Sequence, residues 1–138
     1  MSIPKLSPFL LIQESLWPNQ WLILVSCVLL NQTSRKQVEK IWRHFIHVCP
    51  NPEAIISIDE QELALMLKPL GFYSRRAKML KKLASAYIKN DWKHAKDLPG
   101  IGEYGGRAWE IFCCSKLGTI EPKDGALKIY WRWSLNKQ

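Results

Sequence analysis

The stretch "WLILVSCVLL", residues 21–30, is apolar all the way round except for one serine. At ten residues it is half the length needed to cross a bilayer, which takes about 20. A helix with no polar face has no side to give to water, so the rest of the chain must wrap around it. The segment 19–34 therefore reads as a buried helix, apolar nearly all round. Elsewhere strand-like alternation is scarce and helical spacing recurs. Ser34 starts a helix with Val38, Ile41, Trp42, Phe45 and Cys49 on one face, stopped by "CPNP". Asp59 has the position of an N-cap before "EQELALMLKPLG", with Leu63, Met66 and Leu67 facing inward. "SRRAKMLKKLASAYIKND" carries an apolar stripe of Ala77, Leu80, Leu83, Ala84, Tyr87 and Ile88. Its opposite face is assigned Arg75, Arg76, Lys78, Lys81 and Lys82. Two more helices follow, one through Ala108, Ile111 and Phe112 and a last one starting near Asp124. The expectation is an all-α fold, a compact bundle of short helices, with residues 1–138 as one domain.

The chain has 20 Lys+Arg against 12 Asp+Glu, a formal net charge of +8. That surplus favours a polyanionic partner, nucleic acid above all, with a merely basic surface as the alternative. The four cysteines form no CxxC pair, and Cys113 and Cys114 diverge on a helix, so a shared metal site is not expected. His44 and His47 lie one turn apart without the glutamate of a zinc-protease motif, and no metal or cofactor is assigned. Unpaired thiols in apolar surroundings, with no signal-peptide pattern, point to an intracellular protein that stays off membranes.

The local feature with chemical content is "LPGIGEYGG", residues 98–106. Pro99 suits the start of a turn, and Gly100 and Gly102 suit backbone angles closed to other residues. Leu98 and Ile101 would anchor such a turn in the core. Amide groups free of side chains, at a helix start, can hydrogen-bond a phosphate. By itself this is equally a plain glycine-rich connection. The whole string L-P-G-I-G, however, resembles the hairpin of the helix-hairpin-helix DNA glycosylase superfamily. "LNQTS" at 30–34, "LKPLGFY" at 67–73, "RAK" at 76–78, "EIFCC" at 110–114, "EPKD" at 121–124 and Gln13 in "LIQESL" extend the likeness over nearly the whole chain. They resemble the branch that removes thymine or uracil mispaired with guanine, whose type member also carries a methyl-CpG-binding domain.

The resemblance implies a set of roles. Asp124 becomes the carboxylate that stabilises a cationic sugar and orients water, beyond capping "GALKIYWRW". Tyr104 occupies the place where strand-cleaving relatives carry a nucleophilic lysine, so base release without a lyase step is implied. Gln13 and Tyr104 become the pocket for the extruded base. Contacts to DNA fall to Gln32, Thr33 and Ser34, to a wedge of Leu70, Gly71 and Phe72, to Arg76 and Lys78, and to hairpin residues Pro99, Gly100, Ile101, Gly102 and Gly105. Large apolar residues such as Leu70 and Phe72 are otherwise core residues. No cysteine follows Asp124, so the iron–sulfur cluster of endonuclease III-like members is not expected. The sequence departs from the branch at Gln32, which replaces an arginine, and at Gly125-Ala126, which replaces His-Lys. The implied function is a monofunctional glycosylase acting as a monomer on double-stranded DNA, DNA-associated in a nucleus or bacterial nucleoid. A glycosylase for another damaged base and a non-catalytic DNA-binding module are the alternatives.

Overall fold

The computed structural model describes residues 12–16, 19–114, 122 and 125–136. Among these, all regular structure is helical, as expected. The order is α1 (Ile12–Leu16), α2 (Gln20–Leu30), α3 (Arg35–Val48), α4 (Pro52–Ser57), α5 (Glu60–Leu67), α6 (Tyr73–Lys89), α7 (Gly102–Cys113) and α8 (Gly125–Asn136). Short 3₁₀ turns, Lys68–Leu70 and Ala95–Asp97, precede α6 and the glycine-rich hairpin.

The central helix α2 serves two separate packing layers. Trp21, Leu24, Val25, Val28 and Leu29 join a cluster with Val38, Phe45, Leu63, Leu67, Leu80 and Leu83 of α3, α5 and α6. Ile23 and Cys27, one turn apart, face the other way onto Ala108, Ile111 and Phe112 of α7 and Leu127 and Tyr130 of α8. This double duty is why the segment carries no polar face. Each fully buried aliphatic side chain contributes about 1.5–3 kcal/mol of transfer free energy, and α2 contributes such side chains to both layers.

Polar residues set the helix ends. Asn19 accepts from the Leu22 amide at 3.0 Å to start α2. Ser34 and Gln37 form a reciprocal capping box at α3, so the expected single segment 19–34 is a helix, a turn and the cap of the next helix. "CPNP" ends α3, and its Asn51-Pro52 also begins α4, with Asn51 as cap and Pro52 in the first turn. Asp59 caps α5 through the Gln61 and Glu62 amides, as its position suggested. Gln20 bridges the start of α2 to two later helices, accepting from Trp109 Nε1 at 2.7 Å and donating to Tyr87 Oη at 3.0 Å.

The burial of Ile88 and Arg76 on α6 differs from the sequence expectation. Ile88 is 43% exposed rather than part of the buried stripe. Arg76, assigned to the outer basic face, is only 7% exposed and lies inside. Its register is that of the stripe, since 76, 80, 83 and 87 recur at helical spacing.

Gly105, one turn into α7, packs where a side chain has no room. A Cβ there would sit 2.5 Å from Ile101 Cγ2, and Ile101 is the buried anchor of the hairpin. Alanine in a helix gains about 1 kcal/mol over glycine in propensity, but overpacking a fixed core side chain costs about 1–3 kcal/mol. Gly105→Ala is therefore expected to be net destabilising by about 1 kcal/mol, read as a lower urea midpoint at unchanged slope.

Candidate nucleic-acid interface and base pocket

The hairpin is closed by a hydrogen bond from the Ile101 amide to Leu98 O at 3.4 Å. Leu98 and Ile101, each 4% exposed, are its anchors in the core. Gly100 and Gly102 adopt left-handed φ of 78° and 61° and stand exposed. At Gly100 a Cβ would also meet Met79 Cγ at 2.6 Å, so the hairpin lies directly against α6. At Gly102 the space is open and backbone conformation alone calls for glycine. The Gly105 amide bonds to Ile101 O, which starts α7 without interruption and puts a helix N-terminus at the hairpin.

Beside the hairpin is a cavity of about 710 Å³. Gln13, Cys27, Gln32, Gly102, Tyr104 and Ala126 line it, drawn from α1, α2, the α2–α3 turn, α7 and α8. Gln13 is 2% exposed. Its Nε2 donates to Tyr104 Oη at 2.9 Å and approaches Cys27 Sγ at 3.7 Å. With Nε2 engaged in both directions, the Oε1 carbonyl is the acceptor left on this side chain. The fold thus pairs Gln13 and Tyr104 across 91 positions. Arg35 and Asn31 also line the cavity, and sequence reading missed both. Cys27 was read only as a buried thiol.

Asp124 lies outside the described residues. Gly125 begins α8, and Ala126, two positions on, reaches the cavity wall.

A smaller cavity of about 170 Å³ adjoins the first and is lined by Gln32, Phe72, Arg75, Arg76, Met79 and Gly100. Gln32 and Phe72 are both exposed and both left-handed, at φ of 59° and 46°. Such angles cost a non-glycine residue about 1–2 kcal/mol and persist only where the surroundings dictate them. The Arg75 guanidinium lies 5.2 Å over the Phe72 ring. Leu70 is 5% exposed and belongs to the core. Within the expected wedge, Gly71 supplies a turn at φ 76°, and Phe72 is the apolar side chain that projects.

Arg76 is likewise displaced from its expected role on DNA. Its guanidinium donates to Val28 O, Leu29 O, Asn31 O and Gly71 O at 2.9–3.4 Å, and to Thr33 Oγ1 at 2.5 Å. Burial pulls its pKa below the usual guanidinium value. The Thr33 hydroxyl is held by this contact, and the Ser34 hydroxyl by the capping box. Lys78 and Lys82 are exposed. Lys81 instead reaches back to Ile56 O and Ile58 O at the end of α4, so it caps a helix rather than facing solvent.

A left-handed glycine hairpin at a helix start is the arrangement that the sequence likeness implied, and a cavity lies beside it. The family model for the HhH-GPD superfamily base excision DNA repair proteins matches residues 25–129. The chain belongs to that superfamily. Its relatives include the methyl-CpG-binding domain protein 4-like protein of Arabidopsis thaliana, 34% identical over 129 residues, covering 94% of this chain and 29% of the relative. The thymine-DNA glycosylase of Aeropyrum pernix is 36% identical over 109 residues, 74% of this chain and 48% of that protein. The adenine DNA glycosylase of Mycolicibacterium smegmatis is 37% identical over 99 residues, 67% and 33% respectively. The chain thus spans 29–48% of the length of these relatives. Among solved structures, a thermostable thymine-DNA glycosylase superposes with a TM-score of 0.67 at 28% identity, over 72% of this chain and 49% of that one. Among the described residues of this superfamily member, no group of three or more metal-ligating side chains converges. No described helix is long and apolar enough to cross a membrane.

The inward turn of Lys81 separates it from its neighbour. Lys81→Ala removes two charge-assisted bonds to helix-end carbonyls and should cost about 1 kcal/mol of stability. Lys82→Ala should stay within about 0.5 kcal/mol. Parallel urea melts of the two variants check the assignment.

Proposed function

We propose that this chain is a monofunctional DNA glycosylase that extrudes thymine or uracil mispaired with guanine and hydrolyses its N-glycosidic bond. The observation that carries the reading is the buried Gln13–Tyr104 pair on the wall of the hairpin-side cavity. An acceptor at Gln13 Oε1 matches the N3–H of a thymine or uracil imide. It opposes cytosine, whose N3 is itself an acceptor, and an unmatched buried polar pair discriminates strongly. The likeness to thymine-DNA glycosylases of known sequence and structure points the same way. The cavity lies within the 300–1,000 Å³ range typical of small-ligand pockets.

The reaction needs the target nucleotide out of the stack, at a cost of a few kcal/mol that is lowest at a mismatch. Gly100 and Gly102 bring backbone amides close to a phosphate, and the start of α7 favours the anion. Gln32 takes the vacated position in the duplex and Phe72 enters the stack beside it. Lys78 and Arg75 add positive charge along the strand. As the base leaves, positive charge develops on the sugar, and the Asp124 carboxylate stabilises it and directs water to C1′. Duplex DNA is the partner, and the protein works as a monomer. An adenine-removing activity is the second reading, favoured by the identity to the adenine glycosylase. Labelled duplexes carrying G·T, G·U, A·U and G·A, assayed for abasic sites, separate the two.

Asp124→Asn keeps the side-chain shape and removes its charge. Base release should fall by at least about a thousandfold, the loss of a transition-state electrostatic partner. Affinity for mismatched duplex should stay within about threefold of the native protein by fluorescence anisotropy. Near-native release by the variant would rule Asp124 out.

Tyr104 offers no amine, so no Schiff base should form. Borohydride added during turnover should trap no covalent protein–DNA complex, and product strands should break only after alkali. A trapped band on a denaturing gel would contradict the monofunctional reading.

A further inference from the structure

The buried guanidinium of Arg76 touches two loops at once, which takes it away from the DNA contact that the family likeness implied, and the proposed chemistry gives it no other task. On one side it holds the end of α2 and the following turn, through Val28 O, Leu29 O, Asn31 O and Thr33 Oγ1. On the other, its Nε holds Gly71 O at 2.9 Å, beside Phe72. The two loops contribute the exposed left-handed residues of the smaller cavity, Gln32 and Phe72. Gln32 sits between two residues tied to Arg76, and Phe72 follows a third. All five acceptors are neutral oxygens, so the planar fork is used for its geometry. Five donors at fixed angles span both loops, which a lysine ammonium on a single pivot does not do.

We infer that Arg76 is a positioning residue that couples Gln32 and Phe72 into one rigid two-pronged unit, set to enter a base stack in a single motion. The inference rests on the proposed glycosylase reading for its purpose. The coupling itself is independent of base release. An isolated prong held at an unfavourable backbone angle relaxes when its supports go. Two prongs sharing one strut relax together.

The test is a double-mutant cycle on Gln32→Ala and Phe72→Ala, read by the fluorescence of 2-aminopurine placed beside a G·T mismatch, which reports unstacking without chemistry. In the native background the two substitutions should be non-additive by about fivefold or more in the flipping equilibrium. In an Arg76→Lys background they should be additive. Single-turnover release should drop at least about tenfold with Arg76→Lys on G·T duplex, yet stay within about twofold on single-stranded uracil, which has no stack to invade. Thr33→Val, which removes one of the five contacts, should shift the duplex rate in the same direction by a smaller factor and serves if Arg76→Lys folds poorly. Additivity in the native background, or equal losses on duplex and single-stranded substrate, would overturn the positioning role. A native protein that unstacks 2-aminopurine but releases no base would instead overturn the glycosylase reading and leave the coupling intact.

Discussion

A helix buried on every side has carbonyls at its C-terminus that water cannot reach freely, and α2 resolves this with one arginine. The last turn of an α-helix leaves up to four carbonyls without partners in the helix. Arg76 supplies donors to those of Val28 and Leu29 and to the capping Asn31. A cation at a helix C-terminus is also favoured by the backbone dipole, by up to about 2 kcal/mol when partly buried. Burying a guanidinium without a carboxylate is costly, and five oriented oxygens offset that cost. The order at this end of α2 therefore sets the turn into α3, and with it Gln32.

The same helix is fixed at its other end by an amide. Gln20 joins Trp109 of α7 and Tyr87 of α6. Between these two polar ties, Ile23 and Cys27 look toward α7 and α8 while the remaining apolar residues look toward α3, α5 and α6. The larger cavity opens where the two layers part, with Cys27 on its wall. A site assembled along one rigid central element holds its parts in fixed relation. Gln13 from α1 and Tyr104 from α7 meet there because both pack against α2.

The hairpin depends on this frame in turn. Its anchors, Leu98 and Ile101, join the first layer, and the helix it starts packs through Ala108, Ile111 and Phe112 into the second. Gly105 permits the close approach of α7 to Ile101 and to Cys27, where a Cβ would meet the cysteine's own Cβ at 3.5 Å. The exposed backbone of Gly100 and Gly102 is thus carried between two cores, which holds the turn rigid.

The amino-acid sequence alone determined the helical class, the caps of α3 and α5 and the hairpin, because these follow from short-range physics, whereas α1 and α4 and the end of α2 at Leu30 were not marked in it. Periodicity places Val38, Leu63, Leu80 and Leu83 inside, Ser34 and Asp59 carry the side chains that cap helices, and glycines mark the left-handed angles of the hairpin. Only the tertiary structure decided which polar residues face inward. Arg76 shares the helical register of Leu80 and Leu83, so its burial was written in the spacing, but its charge argued for solvent until the end of α2 supplied acceptors. Lys81 was turned by the carbonyls of α4, and Leu70 was drawn into the core and left Phe72 to project. The pairing of Gln13 with Tyr104 spans most of the chain, and no local pattern encodes a contact at that separation. Polar burial depends on partners distant in sequence, and those partners exist only once the fold has brought them together.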